Sequence, residues 1–482
     1  MVYFPALEPI FGRGGALLDA LDMLEVEPQA FWFPNHNGGD HHLDQRVFER
    51  LAKLSQPKLI HGVGLPLATT VEFDSQQIAP WQQSIDRLNP PWVSEHLAFM
   101  RVASNEPGVK SRHSGFLLPP LQCQETVDIA VARIADLRRL SGRAVAFEIS
   151  PNYLQPQPGE MADGEFFARL AIEADCGIVL DLHNLWCNER NGRQCVQEVM
   201  ESLPLDRVWE IHLAGGESYE GYWLDAHSDL VPQPVMNLYE QWLPKLENLA
   251  ALVFEIMPDY VQAKQLSPDQ LIQQIQAMKS LWRFGPTASS LHSCRHINSI
   301  TTASMPADGV KSVASVKVMG WEQSLGALVN GRERPMVSDD FANLEDDPGV
   351  PVYKSLVESF RAGTLAEGLT LSYRLLVLTL GKTATLSLMR QFWSSNWPEP
   401  FAFDEMLGFA AFLHQRMVQG TLTVAFLENV LNYELARAQA QQTGKERFVA
   451  FNCEPIALLR SLSHGHLPVE VAYGEFEVHV PG

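Results

Sequence analysis

His212, Asp225 and His227 fall within one short stretch, RVWEIHLAGGESYEGYWLDAHSDL (residues 207–230). An apolar run carries the first histidine near its end, a glycine pair follows, and Asp-Ala-His then returns the same donor types. Imidazole nitrogens and carboxylates are costly to bury without partners, so their recurrence asks for a shared partner. Other apolar runs repeat the pattern. His61 sits late in KLIHGV (58–63), Glu95 and His96 in WVSEHLAF (92–99), and Glu148 in AVAFEI (144–149). Asp181 and His183 sit late in GIVLDLHN (177–184), and Glu255 in ALVFEI (251–256). Nitrogen and oxygen donors of this kind suit borderline metals such as zinc, iron or manganese. They outnumber what one ion needs, since a catalytic zinc takes about three protein ligands. Bridging carboxylates would let two or three ions sit together. No thiolate is implied, so zinc-finger and iron–sulfur sites are set aside. Glu95 and His96 are adjacent and face opposite sides of a strand; His96 is read as the donor and Glu95 as structural.

These residues can meet only if the elements bearing them converge. ALEPIF (6–11), AFWFPN (30–35) and RVWEIHLA (207–214) complete a set of eight apolar runs. Segments of helical periodicity lie between most of them, such as ETVDIAVARIADLRRL (125–140) and EFFARLAIEA (165–174). Alternating strand and helix predicts an α/β fold with a parallel sheet, and eight strands predict a closed (β/α)8 TIM barrel. The late ends of barrel strands gather at one mouth, where active sites are built. SPDQLIQQIQAMKSLW predicts a further helix, with Ser267 as N-cap and Pro268 at the first helical position. Residues 284–313 lose periodicity and fill with Ser, Thr, Pro and Gly, which reads as a linker. Beyond it the pattern is mostly helical and ends strand, helix, strand. The expected organisation is a metal-binding barrel over 1–283, the linker 284–313, and a mostly α domain with a small β element over 314–482.

Composition narrows the function. The chain has 482 residues, a formal net charge of −21, and 46% hydrophobic against 19% charged residues. An acidic soluble protein is a poor general nucleic-acid binder, because phosphate contacts come from Lys and Arg. The six cysteines include no CxxC pair, which points to a reducing compartment. The first residues lack a basic segment followed by an apolar one, so no signal peptide is expected. The most apolar C-terminal stretch is interrupted by Arg374 and Lys382 and falls short of a membrane span. A cytoplasmic protein follows. His36, His41 and His42 in NHNGGDHH read as a polar loop that could line the mouth. Gly12, Gly14 and Gly15 read as a tight turn, since the phosphate-loop spacing is incomplete. His464 and His466 read as a turn, and Cys187 and Cys195 as inert.

The motifs resemble those of the multinuclear non-haem iron-dependent oxidases, which have a xylose-isomerase-like barrel. The resemblance covers roughly residues 5–282. It is carried by HGVGL (61–65), VSEHLAF (93–99), FEISPNY (147–153), LDLHNLW (180–186), EIHLAGG (210–216), LDAHSDLVPQPVMNLY (224–239) and FEIMPDY (254–260). It implies iron ligation by His61, His96, Glu148, Asp181, His212, Asp225, His227 and Glu255, with Asn184 ligating or orienting. It also implies two or three irons of mixed Fe(II)/Fe(III) state, dioxygen as co-substrate, and a short ribosomally made precursor peptide as substrate, modified usually at cysteine. Such enzymes work with a protein that recognises the leader of the peptide, and the C-terminal domain loosely resembles such a partner fused in one chain. This sequence departs from the family at Ile149, where relatives have Asn. It departs again in FWFPNHNGG, which offers only Asn35 and Asn37, and at His183. The ligand set is kept while the substrate side of the pocket differs.

Two other readings stand beside this one. A zinc or manganese enzyme on the same barrel could be a sugar isomerase or an endonuclease-like enzyme. The isomerase wants a lysine near the metals, and Lys58 lies early in its run; the acidic balance weighs against the endonuclease. Alternatively, a non-catalytic peptide-binding protein could hold a structural metal. Oxygen consumption with a candidate peptide separates these readings.

Overall fold

A computed structural model describes residues 1–8, 15–34, 41–282, 315–335, 339–468 and 470–482. The chain forms two compact units. The first comprises Met1–Met100, Leu118–Glu322 and Asp346–Gly349; the second comprises Arg101–Leu117, Gln323–Glu345 and Val350–Gly482. The expected linker lies outside the described residues.

The first unit is built on seven parallel strands hydrogen-bonded in chain order. They are β1 (Leu24–Val26), β2 (Lys58–Gly62), β3 (Trp92–His96), β4 (Ala144–Glu148), β5 (Gly177–Asp181), β6 (Val208–Ala214) and β7 (Ala251–Glu255). The eighth stave is the first stretch of chain. Glu25 N–H donates to the Met1 carbonyl at 3.0 Å, Tyr3 N–H to that of Glu25 at 2.8 Å, and Val2 N–H to that of Phe254 at 3.3 Å. Residues 1–3 thereby join β1 to β7, and the sheet closes as the barrel expected from the sequence.

Two of the staves differ from those predicted. ALEPIF begins inside the 3-10 turn Pro5–Leu7, and its later residues lie outside the described ones. In AFWFPN, the 3-10 turn Pro28–Phe31 leads into Trp32–Pro34, which pairs antiparallel with His41–Leu43. Proline at the start of each turn fixes φ and supplies no N–H for a ladder. The true β1 is short and carries Glu25 at its centre, so it does not read as an apolar run.

Helices cover the outside: α1 (Gln45–Lys53), α2 (Ser75–Leu88), α3 (Gln124–Ser141), α4 (Asp163–Glu173), α5 (Leu182–Arg190), α6 (Gln233–Trp242) and α7 (Pro268–Trp282). Side-chain caps mark the starts of α1, α2 and α5. Asp44 accepts from Arg46 N and Val47 N, and Asp74 from Gln76 N. Before α7, Ser267 Oγ accepts from Gln270 N at 3.3 Å while Gln270 Oε1 accepts from Ser267 N at 2.9 Å, a reciprocal capping box.

The early end of the barrel interior is an apolar floor of Leu59, Trp92, Ala144, Ala146, Val179, Trp209 and Ala251. The two indoles meet edge to face with centroids 6.3 Å apart. Small neighbours make room for them, above all Gly177: a Cβ there would lie 2.2 Å from Trp209 Cε3. Later along the same inward-facing rows the side chains become polar, so the floor underlies the charged layer.

The second unit contains the helices Gly349–Gly368, Thr370–Leu380, Lys382–Ser395, Ala402–Val418, Leu427–Thr443 and Pro455–Ser463. Arg447–Cys453 and Tyr473–Val480 pair antiparallel beside them. This is the mostly α texture with a small β element. Its core includes Leu376, Leu413, Leu427, Val430 and Leu458. Among the described residues, no helix is long and apolar enough to cross a membrane.

Two outcomes follow from the first unit. Gly177→Ala forces the Trp209 ring to move and is expected to cost about 1–3 kcal/mol, read as a lower urea midpoint. Glu322 is fully buried and accepts a hydrogen bond from Thr70 N at 2.7 Å, with Thr70 Oγ1 also donating to it. Burial pushes its carboxyl up to about 8, against the pull of those bonds and of Arg133. The folded chain therefore keeps a proton that the unfolded chain releases near 4.5, so stability falls as pH rises between these values. Glu322→Gln is expected to remove that loss: stability close to wild type at pH 5 and higher than wild type at pH 8.5, checked by urea unfolding at both.

Candidate metal centre

Parallel register decides which side chains meet. His96 pairs with Glu148 across β3 and β4, and His212 with Asp181 across β6 and β5. Paired residues in a parallel ladder point to the same face, here the barrel interior. His61 on β2 pairs with Ser94 on β3, and the Ser94 hydroxyl holds His61 Nδ1 at 2.9 Å. That contact leaves His61 Nε2 facing inward. Glu148, Asp181 and Glu255 are the last residues of their strands, so their carboxylates sit at the mouth.

The donors gather around Glu148. Its Oε2 lies 3.0 Å from His61 Nε2 and 2.6 Å from His96 Nδ1. Its Oε1 lies 3.6 Å from His212 Nδ1, which is also 3.4 Å from Glu255 Oε1. Two donor groups able to hold a metal therefore share Glu148: His61 with His96, and Asp181 with His212 and Glu255. Asn184 lies between the two carboxylates, its N–H donating to Asp181 Oδ1 at 2.7 Å and its amide nitrogen 3.5 Å from Glu148 Oε1.

Asp225 and His227 reach the same mouth from the loop after β6. Gly216 lets that loop fold back, since a Cβ there would lie 2.1 Å from the Leu224 carbonyl oxygen. His227 Nε2 is 3.1 Å from Asp225 Oδ1 and 3.4 Å from Glu255 Oε2. The backbone of His227 is left-handed, with φ 48°, a conformation that costs a β-carbon residue roughly 1–3 kcal/mol and clusters at functional sites. Its carbonyl accepts from Met257 N at 2.9 Å, which ties the loop to the end of β7.

The structure thus brings every residue read from the sequence as a candidate ligand to one place. Glu95 is directed elsewhere. Though fully buried, its carboxylate accepts from Leu65 N at 2.8 Å and His96 N at 3.0 Å. His41 lies 3.4 Å from the Gln76 carbonyl and His42 packs on Phe33; His36, Gly12 and Gly14 lie outside the described residues. His464 faces the Arg460 carbonyl at 2.8 Å.

Sequence reading missed a deeper layer. Glu25 and Glu210 are fully buried, and with His212 they form a third donor group. His212 Nε2 is 3.3 Å from Glu25 Oε2 and 3.6 Å from Glu210 Oε1. Trp92 Nε1 donates to Glu210 Oε2 at 3.0 Å and ties this layer to the floor. Glu210 stands two places before His212 and so shares its face, a signal present in EIHLAGG. Glu25 carried no such signal, because its strand was not recognised.

Electrostatics show how tightly these groups depend on one another. Burial would lower the His61 pKa, but the charge of Glu148 and its hydrogen bond outweigh it and lift His61 to about 10. His212 and His227 also rise against burial, the first through Glu25 and Glu255, the second through Asp225 and Glu255. Burial would raise Glu148, yet His96 and His61 pull it well below the usual carboxylate range. Asp181 is held well above that range by burial and by the charges of Asp225, Glu255 and Glu148. Protons here do work that a cation could do.

The donors fit a multinuclear metal site. Buried polar atoms are nearly always partnered, yet Asp181 Oδ2 and Asn184 Oδ1 have no hydrogen-bond partner, and Glu148 Oε2, both His212 nitrogens, His227 Nε2 and Glu255 Oε2 meet only ion-pair neighbours without a well-directed hydrogen bond. They converge and are all oxygen or nitrogen, the set that borderline divalent and trivalent metals take.

Residues 16–279 match the family model described as RiPP precursor modification enzyme MbnB/TglH/ChrH. A UPF0276 protein of Chromobacterium violaceum is 30% identical over 234 residues, spanning 48% of this chain and 82% of that protein. Another, from Acaryochloris marina, is 31% identical over 223 residues, spanning 45% and 76%. Among solved structures, an L-ribulose 3-epimerase is similar with a TM-score of 0.35 at 13% identity, over 62% of this chain and 94% of that one; a likeness this loose says nothing of activity. The family match spans more than half of the sequence and contains every donor described above, and the chain belongs to the RiPP precursor modification enzyme family MbnB/TglH/ChrH.

Proposed function

We propose that this chain is a multinuclear iron-dependent oxidase that uses dioxygen to modify a ribosomally synthesised precursor peptide, at cysteine. The observation that carries the reading is the sharing of Glu148 by two donor groups, because a carboxylate with two oxygens can bridge neighbouring ions. His61, His96, Glu148, Asp181, Asn184, His212, Asp225, His227 and Glu255 are assigned as the residues that hold two or three ions. Bound iron would supply one-electron chemistry toward dioxygen and a Lewis-acid seat for a substrate thiolate.

The chain's own residues prepare that site. Ser94 and Asn184 orient ligands, as hydrogen-bond partners of metal ligands generally do. Protons on the histidines and on Asp181 are displaced when a cation enters, so uptake releases acid. Trp186 and Tyr153 are buried beside the mouth and limit water there. The sugar-isomerase reading asks for a lysine among the donors. Lys58 instead donates to the Leu54 carbonyl near the start of β2. Residues 314–482 are assigned recognition of the precursor peptide. In support, the second unit has a cleft of about 810 Å³ whose lining includes Arg374, Tyr433, Arg437 and Arg460. Every described cysteine is free, which supports a reducing, cytoplasmic setting.

Protein purified without air is expected to carry iron and to consume oxygen when given a cysteine-bearing precursor peptide; metal-free protein, or no oxygen uptake with any such peptide, contradicts the reading. Glu148→Ala removes the shared ligand. It is expected to lose at least one iron equivalent by elemental analysis and at least about tenfold in turnover. Full iron content together with full turnover in that variant would remove Glu148 from the centre.

A further inference from the structure

We propose that Trp223 and His183 form a hydrogen-bond relay that orients the Asp225 carboxylate toward the metal centre, with His183 a neutral positioning residue and not a ligand. The inference rests on the metal-centre reading above.

His183 is the second residue of α5, two places after Asp181, and is fully buried. Trp223 Nε1 lies 3.1 Å from His183 Nε2, and His183 Nδ1 lies 2.9 Å from Asp225 Oδ1. An indole N–H can only donate. His183 Nε2 must therefore accept and carry no proton, which puts the ring proton on Nδ1, facing the carboxylate. A doubly protonated ring would set two N–H groups against each other. With one nitrogen accepting from Trp223 and the other donating to Asp225, neither is left for a metal. This accounts for a histidine between two ligand positions that is not itself a ligand.

The Trp223 end and the imidazole of the relay are held by α5 and the residue that follows it. Trp223 N–H donates to Asn191 Oδ1 at 2.8 Å, and Asn191 Nδ2 donates back to the Trp223 carbonyl at 2.9 Å. The Arg190 guanidinium lies 4.9 Å from the Trp186 ring centroid and 4.7 Å from that of Trp223, and the indoles meet edge to face at 5.2 Å. Cys187, one turn after His183, places its sulfur 3.7 Å from both ring nitrogens. Gly216 clears the crossing point, since a Cβ there would lie 2.7 Å from Trp223 Nε1 and 2.9 Å from His183 Cε1. Packing alone would not need the donor and acceptor order that these contacts impose.

The test is anaerobic Fe(II) binding to the full chain, with thermal melting of the chelated protein as the folding control. His183→Leu and Trp223→Phe are each expected to weaken the most weakly held iron by about tenfold or more. His183→Asn keeps a donor near the Nδ1 position and is expected to restore affinity to near wild type. In the His183→Asn background, Trp223→Phe is expected to add no further loss, because no tautomer remains to be set. Ring-¹⁵N histidine spectra of the metal-free chain are expected to show His183 as the Nδ1–H tautomer, and to lose that signature in Trp223→Phe. Wild-type affinity in His183→Leu, an equal cost of Trp223→Phe in both backgrounds, or an Nε2–H tautomer overturns the relay. A wild-type chain that shows the expected tautomer but binds no iron overturns the metal-centre reading, and with it the relay's purpose.

Discussion

The constraint on which the structure depends is the confinement of carboxylates and imidazoles at one barrel mouth with too few hydrogen-bond partners. Glu148 alone faces three histidines, and Asp181 sits among the charges of Asp225, Glu255 and Glu148. Removing such ions from water costs several kcal/mol each even after relaxation. Hydrogen bonds offset part of that cost, and cations can offset the rest. Protons do so in part, which is why histidine and carboxylate pKa values move in opposite directions around Glu148. They leave the buried Asp181 Oδ2 and Asn184 Oδ1 without a hydrogen-bond partner. A group of metal ions would satisfy the same atoms more completely, and membership of a peptide-modifying enzyme family gives the cluster a chemical setting.

The rest of the first unit keeps that cluster in place. The floor of Trp92 and Trp209 fills the lower barrel, and Trp92 reaches up to Glu210. Glu210 and Glu25 in turn face the back of His212, whose front faces Glu148 and Glu255. A carboxylate behind a ligating histidine fixes its ring and raises its basicity. The closure made by residues 1–3 ties β1, which carries Glu25, to β7 and completes the ring of staves. Apolar packing, buried carboxylates and mouth donors are thus successive layers of one barrel interior, as side-chain layers are in barrels generally.

Much of this was legible in the sequence, for a specific reason. Each main candidate ligand ends or nearly ends an apolar strand, so a parallel barrel had to bring His61, His96, Glu148, Asp181, His212 and Glu255 together. The adjacency of Glu95 and His96 resolved into one backbone-bonded carboxylate and one mouth histidine because strand side chains alternate. What escaped was β1. A three-residue strand with a central glutamate lacks the apolar signature, while the two neighbouring runs had it and became turns and a hairpin under the control of Pro5 and Pro28. The role of His183 was also out of reach, because it depends on Trp223, forty positions away, and on which ring nitrogen that indole meets.

The most direct measurement of the central claim is anomalous diffraction at the iron edge from crystals grown without air. The expected result is peaks within coordination distance of Glu148, one beside His61 and His96 and another beside Asp181, His212 and Glu255. A barrel mouth without anomalous density, its carboxylates and histidines bonded only to one another and to water, would contradict it.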